Sequence, residues 1–331
     1  MLHPALGEFI VSAVSTAGAG PLVRKWLRRR QSFDLPNERS SHTVPTPRGG
    51  GLACAAGGVV GAAASRMSGS GATTNWLGAS ATLGAIGRVD DLASLPSVWR
   101  LGAQVLTGIV AGARVGGPIG ATAGAVALPS IVNAFNFMDG INGISGGTAA
   151  AWGLVVATDP SLQRSSRAQG GITAGMGLGF LPYNVPRASM FLGDVGSYLL
   201  GSGIAITVLE SSFTDGRLNA RNAGRALAPL APYLSDTGTT IMRRAFRGDS
   251  VTEAHREHAY QRLVHESGWS HWAVSGLVTI ATAACGLSGR SRYGVVAVTS
   301  IVALYVLSPL LARYTNPQVD ESVRAVPGGR L

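Results

Sequence analysis

Long apolar stretches, each closed off by a few polar residues, run from one end of the chain to the other. They fall near 4–23, 49–67, 74–88, 97–114, 117–135, 146–158, 168–183, 195–213, 223–242, 270–287 and 293–313. A membrane-crossing helix needs about twenty mainly apolar residues. Several of these runs are shorter and rich in glycine, so neighbours are open to merging or splitting. The pattern predicts an all-α, polytopic membrane protein with about ten or eleven transmembrane helices. No soluble domain, low-complexity linker or internal repeat interrupts it, and residues 1–331 read as one integral membrane domain. The first run has no basic leader and is followed by Arg24, Lys25, Arg28, Arg29 and Arg30. A cleaved signal peptide carries its positive charge ahead of the apolar region. The run therefore reads as a first span with its N-terminus outside.

The polar positions are not spread evenly between the two faces. Segment 24–48 is dense in arginine and belongs on the cytoplasmic side, where loops are enriched in Lys and Arg. Counting two spans at a time places 89–96, 136–145, 183–194 and 243–269 on that same side. These segments hold nearly all the clustered Asp, Asn and His residues. The opposite-side loops, such as 68–71 and 288–292, are short and carry no such clusters, with Asp159 and Asp215 as isolated exceptions. One assembled site on one membrane face is the expectation.

Composition agrees. Only 13% of the residues are charged and 46 are glycine, and the mean hydropathy is +0.25; soluble proteins carry about a quarter charged residues. Glycine lets membrane helices approach closely. The net charge of +10 raises nucleic acid as a partner. The basic residues lie in connecting segments, however, without an interleaved aromatic-basic module, so no nucleic acid is expected. Cys54 and Cys285 sit in apolar runs and form no CxxC or disulfide framework. They read as buried, inert thiols.

Four segments carry chemistry. Asp90-Asp91 ends an apolar run, where paired acids require hydration, a partner or a cation. A solvated span terminus and a Mg²⁺ site with oxygen ligands both satisfy that pair. Asn133, Asn136, Asp139 and Asn142 recur every three positions, along one helical face. That stripe serves either interhelical hydrogen bonding or a polar site at the membrane mouth. Phe191-Leu-Gly-Asp194-Val-Gly-Ser197 sets an acid between glycines that let backbone approach a phosphate or a metal. His255-Arg256-Glu257-His258 has its histidines three apart, unlike HExxH, and lacks the cysteines of many zinc sites. Phosphate contact or a solvated charged loop fits it. Arg48 with Gly49–Gly51 forms a basic lead-in to the second span, suited to cradling a phosphate through backbone N–H groups or to tight helix packing. Gly175, Gly177 and Gly179 lie within an apolar run without a preceding strand and read as helix packing.

Taken in chain order, these segments resemble the polyprenyl-phosphate N-acetylhexosamine-1-phosphate transferase family, from about residue 39 to residue 264. That family includes the phospho-MurNAc-pentapeptide translocases and the transferases that initiate O-antigen and cell-wall glycans. Asp90-Asp91 is similar to its paired aspartates, 133–147 to its Asn-rich Asp-Gly segment, and Phe191–Ser197 to its Phe-x-Gly-Asp-x-Gly-Ser motif. Tyr233-Leu-Ser-Asp236-Thr, Arg243-Arg244 and the histidine segment look like the branch acting in lipopolysaccharide or capsule synthesis. Two departures stand out. Asn142 replaces the final acid of Asp-Gly-Ile-Asp, and His-x-x-His replaces the triple histidine of the pentapeptide translocases.

The resemblance implies transfer of an N-acetylhexosamine-1-phosphate, GlcNAc or a 6-deoxy relative, from a UDP-sugar to undecaprenyl or another polyprenyl phosphate. UMP would be released at the cytoplasmic side of a bacterial inner membrane. It implies Mg²⁺, with Mn²⁺ as a substitute, held by Asp194 and Asp91. Asp90, Asp91, Asp139 and Asp194 would form the catalytic set. Arg48, Asn133, Asn136, Phe191, His255, Arg256 and His258 would bind substrate, Phe191 by stacking on uracil. The lipid bilayer is an implied partner, and a homodimer is compatible with it. A membrane transporter with Asp and Asn on its pathway is the rival reading, and it calls for polar residues at mid-span and internal repeats.

Overall fold

The computed structural model describes residues 4–36, 43–69, 71–250 and 255–315. Arg39, where the resemblance begins, and Glu253 lie outside the described residues. A chain this apolar must satisfy its backbone polar groups internally, which in lipid leaves helices and closed barrels. Helices form nearly all the regular structure. α1 (Pro4–Arg29) ends on Arg28 and Arg29. A small antiparallel pair, β1 (Phe33–Asp34) and β2 (Thr46–Pro47), sets Phe33 opposite Pro47 and delivers Arg48 to the start of α2 (Gly51–Met67). α3 (Thr74–Ala93) runs five residues past its expected end, so Asp90 and Asp91 lie in its last turn, not in a loop. The exit is closed by Asp90: its carbonyl accepts from Ser94 N–H and its Oδ1 from Leu95 N–H at 2.8 Å.

α4 (Ser97–Met138) is continuous in hydrogen bonding but breaks at Gly116 and Gly117, the latter at φ +56°. The break folds it into two antiparallel arms, which match the two runs expected there. Gly108 faces Gly124 and Gly112 faces Gly120 so closely that a Cβ at any of the four would strike the opposite backbone. α5 (Ile144–Thr158) and α6 (Arg164–Phe180) lead to α7 (Gly193–Ser211). Every residue of α7 except Asp194 is buried. A helix apolar all round belongs in the middle of a bundle, and α7 is that axis. β3 (Phe213–Thr214) and β4 (Arg217–Leu218) pair across a turn at Asp215 and Gly216.

The run expected as one span at 223–242 is two helices, α8 (Ala220–Leu227) and α9 (Ala231–Arg247), joined by a 3₁₀ turn at Ala228–Leu230. α9 is amphipathic, with Asp236, Thr237, Thr240 and Arg244 on its buried side. A short α10 (Ala259–His265), then α11 (His271–Ser288) and α12 (Gly294–Thr315), complete the fold. Among the described residues, α1, α4, α11 and α12 contain segments long and apolar enough to cross a membrane, and α2 and α5 are shorter apolar helices. The protein is an all-α, multi-pass membrane protein.

Of the two isolated acids, Asp159 is paired with Arg225 at 2.9 Å and lies 3.5 Å from Arg290. Asp215 occupies a left-handed turn position (φ +50°).

Candidate active site

Four helix ends meet at one end of the bundle: the first turns of α2 and α7 and the last turns of α3 and the second arm of α4. The segments leading into α2 and α7 are zipped together by backbone. Phe191 N–H donates to Pro47 O at 2.8 Å, Gly50 N–H to Phe191 O at 2.8 Å and Gly51 N–H to Leu192 O at 2.8 Å. Gly193 turns into α7 at φ +75°, where a Cβ would press on the Asp91 carboxylate and on Gly49 N. A Cβ at Gly87 would strike the carbonyl of Asp194. We expect Gly87→Ala to push α3 from α7 and lower turnover about tenfold or more, overpacking being the mechanism. Unchanged turnover at unchanged folded yield would contradict this.

Asp194 stands at the centre. Its Oδ2 pairs with Arg48 Nη2 at 2.9 Å, and its Oδ1 accepts from Asn136 Nδ2 at 2.8 Å. Its side chain keeps 16% exposure. The Asp91 side chain is wholly buried and pairs with Arg48 Nε at 2.9 Å. Its two oxygens also accept the N–H groups of Asp194 at 2.9 Å and Val195 at 3.1 Å. Asp91 therefore caps α7, satisfying two N–H groups that a helix start leaves unpaired. One guanidinium thus pairs with two carboxylates.

Asp139 follows in the turn after α4. Burial pushes its carboxyl up to about 7, with Asp194 and Asp91 adding repulsion against the pull of Ser145 and Arg48.

Asp90 lies about 100° round α3 from Asp91. It is held by Arg100 Nη1 at 2.9 Å, Leu95 N–H and the Tyr198 hydroxyl at 3.3 Å. Asn133 does not join the cluster. Its amide exchanges hydrogen bonds with Gln104 at 2.8 and 3.4 Å, tying the two arms of α4 together. That is the interhelical role open to a membrane asparagine. Asn142 likewise packs, its side-chain amide donating to Pro186 O and its backbone carbonyl accepting from the Ser275 hydroxyl. Phe191 is half-buried.

The histidine segment is docked by a residue outside the expected set. Asp236, 1% exposed, accepts from Ala259 N–H at 2.9 Å and the Tyr305 hydroxyl at 2.7 Å, with His258 Nδ1 at 3.2 Å. Tyr260 then donates to Phe137 O at 3.0 Å, which brings the segment against the turn holding Asp139. His255 lies 5.0 Å from His258, ring to ring. Burial, with His258 and Arg244 nearby, pushes His255 down to about 4, so it is neutral at neutral pH. Glu257 bridges Arg244 and Arg247.

A family model described as glycosyl transferase family 4 matches residues 73–212. That stretch carries Asp90, Asp91, Asn136, Asp139 and Asp194. The decaprenyl-phosphate N-acetylglucosaminephosphotransferase of Mycobacterium tuberculosis H37Rv is 30% identical over 375 residues, covering 94% of this chain and 91% of the relative. The chain belongs to glycosyl transferase family 4. The enzyme of the same name from Mycolicibacterium smegmatis is 29% identical, over 79% of this chain and 75% of the relative. The undecaprenyl-phosphate alpha-N-acetylglucosaminyl 1-phosphate transferase of Escherichia coli K12 is 29% identical over about half of each chain. Arg48 and the histidine segment lie outside the stretch matched to the family model, yet the fold ties Arg48 directly to Asp194.

Proposed function

We propose that this protein transfers an N-acetylhexosamine-1-phosphate from a UDP-sugar to a polyprenyl phosphate, releasing UMP, as the first step of a cell-surface glycan. The supporting observation is Asp194, the one residue of a buried helix that keeps some exposure, clamped between Arg48 and Asn136 where four helix ends meet. The names of the related mycobacterial and enterobacterial enzymes supply the reaction class. The site faces the cytoplasm of a bacterial inner membrane on this reading, because segment 24–48 is rich in arginine.

In the reaction an oxygen of the lipid phosphate bonds to the β-phosphorus of the donor. The bond from that phosphorus to the bridging oxygen breaks, and UMP leaves with it. A phosphate monoester has its second pKa near 6, so the attacking oxygen is already ionised at neutral pH and needs no strong base. Asp90, occupied by Arg100 and Tyr198, then acts by tying the end of α3 to α4 and α7. Arg48 provides positive charge of the kind that a diphosphate requires. His255 and Arg256 face the donor from the docked loop, while His258, buried against Asp236, holds that loop in place and does not reach the donor itself.

Mg²⁺ fits this donor set. Mg²⁺ needs one or two carboxylates, with waters and substrate phosphates completing six oxygens. Asp194 and Asp139, which act on each other electrostatically, would supply the carboxylates, with the Asn136 amide beside Asp194. Asp91, with both oxygens on α7, orients Asp194 in place of binding metal. No three His, Cys, Asp or Glu side chains among the described residues form a denser metal group. When bound, the ion neutralises charge building on the transferring phosphoryl group.

The test is an exchange assay with purified protein, undecaprenyl or decaprenyl phosphate, Mg²⁺ and a panel of UDP-GlcNAc, UDP-GalNAc and their 6-deoxy relatives. UMP and a sugar-diphospholipid are expected with at least one donor, EDTA abolishing both and Mn²⁺ restoring part. Folded protein that releases UMP from none of them would overturn the reading. Cysteines placed singly near 90, 140, 192 and 256 should label from one membrane side; labelling from opposite sides would break the one-face arrangement.

A further inference from the structure

Arg88 is the arginine whose environment this reading leaves unexplained. It lies on α3 three residues before Asp91, about 4.5 Å along the helix and towards the bundle interior. It is half-buried, and its Nη1 is buried without a hydrogen-bond partner. The guanidinium lies 5.2 Å from the centroid of the Trp26 ring. The other arginines near the site are satisfied: Arg48 by Asp91 and Asp194, Arg100 by Asp90. A guanidinium carries five donors and cannot shed its charge. The charge of Arg88 acts on Asp91, but leaving a buried Nη1 without an acceptor is unfavourable by an amount that a phosphate oxygen would recover. Gly49, at φ +114°, lets the guanidinium lie close against the backbone that leads into α2, since a Cβ there would sit 2.9 Å from Arg88 Nη1.

The surroundings say which anion. Trp26 is 40% exposed and precedes Arg28 and Arg29 at the end of α1, with Arg30 next in the chain. An exposed tryptophan beside a basic cluster marks headgroup depth in a membrane protein. An anion reaching Arg88 past Trp26 comes from the bilayer, with its apolar part in lipid. The water-soluble donor meets Arg48, the first turn of α7 and the histidine loop instead. We propose that Arg88, braced by Trp26, is the arginine that receives the phosphate of the lipid acceptor and steers it to Asp194. Arginine suits a phosphate that must be held in one orientation, because its planar fork binds two oxygens at once.

This inference rests on the transfer reaction proposed above, and its test separates the two. In wild-type protein and in Arg88→Met, Arg88→Lys and Trp26→Leu variants, KM is measured for polyprenyl phosphate and for UDP-sugar. Binding of polyprenyl phosphate and of uncharged polyprenol to the protein in nanodiscs is measured alongside. Arg88→Met is expected to raise the acceptor KM and weaken polyprenyl-phosphate binding about tenfold or more. Donor KM should stay within about twofold and polyprenol binding should not change, the effect being confined to a phosphate contact. Arg88→Lys, which keeps charge without the fork, should fall between, and Trp26→Leu should shift acceptor KM in the same direction. If Arg88→Met fails to fold, the folded Arg88→Lys and Trp26→Leu proteins decide the matter. Unchanged acceptor KM and binding, or a rise in donor KM alone, would overturn the assignment of Arg88. A wild-type protein that binds polyprenyl phosphate through Arg88 yet turns over no donor would instead overturn the transfer reading.

Discussion

Asp194→Asn is expected to lower turnover by about a thousandfold while the protein remains folded. The substitution keeps the shape of the side chain but removes its charge. It also replaces one acceptor oxygen with a donor, so either the Arg48 contact at 2.9 Å or the Asn136 contact at 2.8 Å is lost. The residue sits at the start of α7 with part of its surface open, so the rest of α7 is untouched. UMP release measures the first effect, and gel filtration with tryptophan fluorescence measures the second. Asp91→Asn is the informative contrast. There an NH₂ would face the N–H groups of Asp194 or Val195, so folded yield should fall together with activity. Near-normal turnover by Asp194→Asn would remove Asp194 from the chemistry.

The spans were legible because an apolar run has few ways to satisfy its backbone in lipid. The two runs on either side of residue 116 fold as read, although hydrogen bonding continues across them, because Gly116 and Gly117 supply the hinge. Arg48, Asp91, Asn136 and Asp194 converge, as the one-sided placement of polar segments led us to expect. Their division of labour was not legible. Adjacent acids look alike in sequence, yet about 100° of helical rotation sends Asp91 to α7 and Asp90 to Arg100. The three-residue stripe identifies a face but not a depth. Asn133 therefore spends its amide on Gln104 while Asn136, one turn further on, reaches Asp194.

Arg88, Arg100 and Asp236 escaped notice as site residues for another reason. Each is a charge beside or within an apolar run, and the group it meets, Trp26, Asp90 or Tyr305, lies on a different element. A single charge in such a run is itself a signal, since it must find a partner or a ligand. Asp236 found Tyr305, which is 69 residues away. That distance places the pairing beyond any local spacing rule.

Asp236→Ala is the second large effect. The carboxylate gathers the Tyr305 hydroxyl of α12, the N–H groups of Ala259 and Tyr260 at the start of α10, and the His258 ring. Alanine leaves these groups facing each other without an acceptor, and breaking a buried paired charge is unfavourable by about 3–5 kcal/mol. The thermal unfolding midpoint should drop by on the order of 10 °C. The loop would remain tethered by Tyr260 to Phe137 O, but His258 and Arg256 would lose their fixed approach to the Asp139 turn. Donor KM should therefore rise in whatever fraction stays folded, while acceptor KM should hold. Asp236→Asn, which retains one acceptor oxygen, should recover part of the midpoint. If Asp236→Ala moved the midpoint by less than about 2 °C and left donor KM alone, the loop would be held by something other than Asp236.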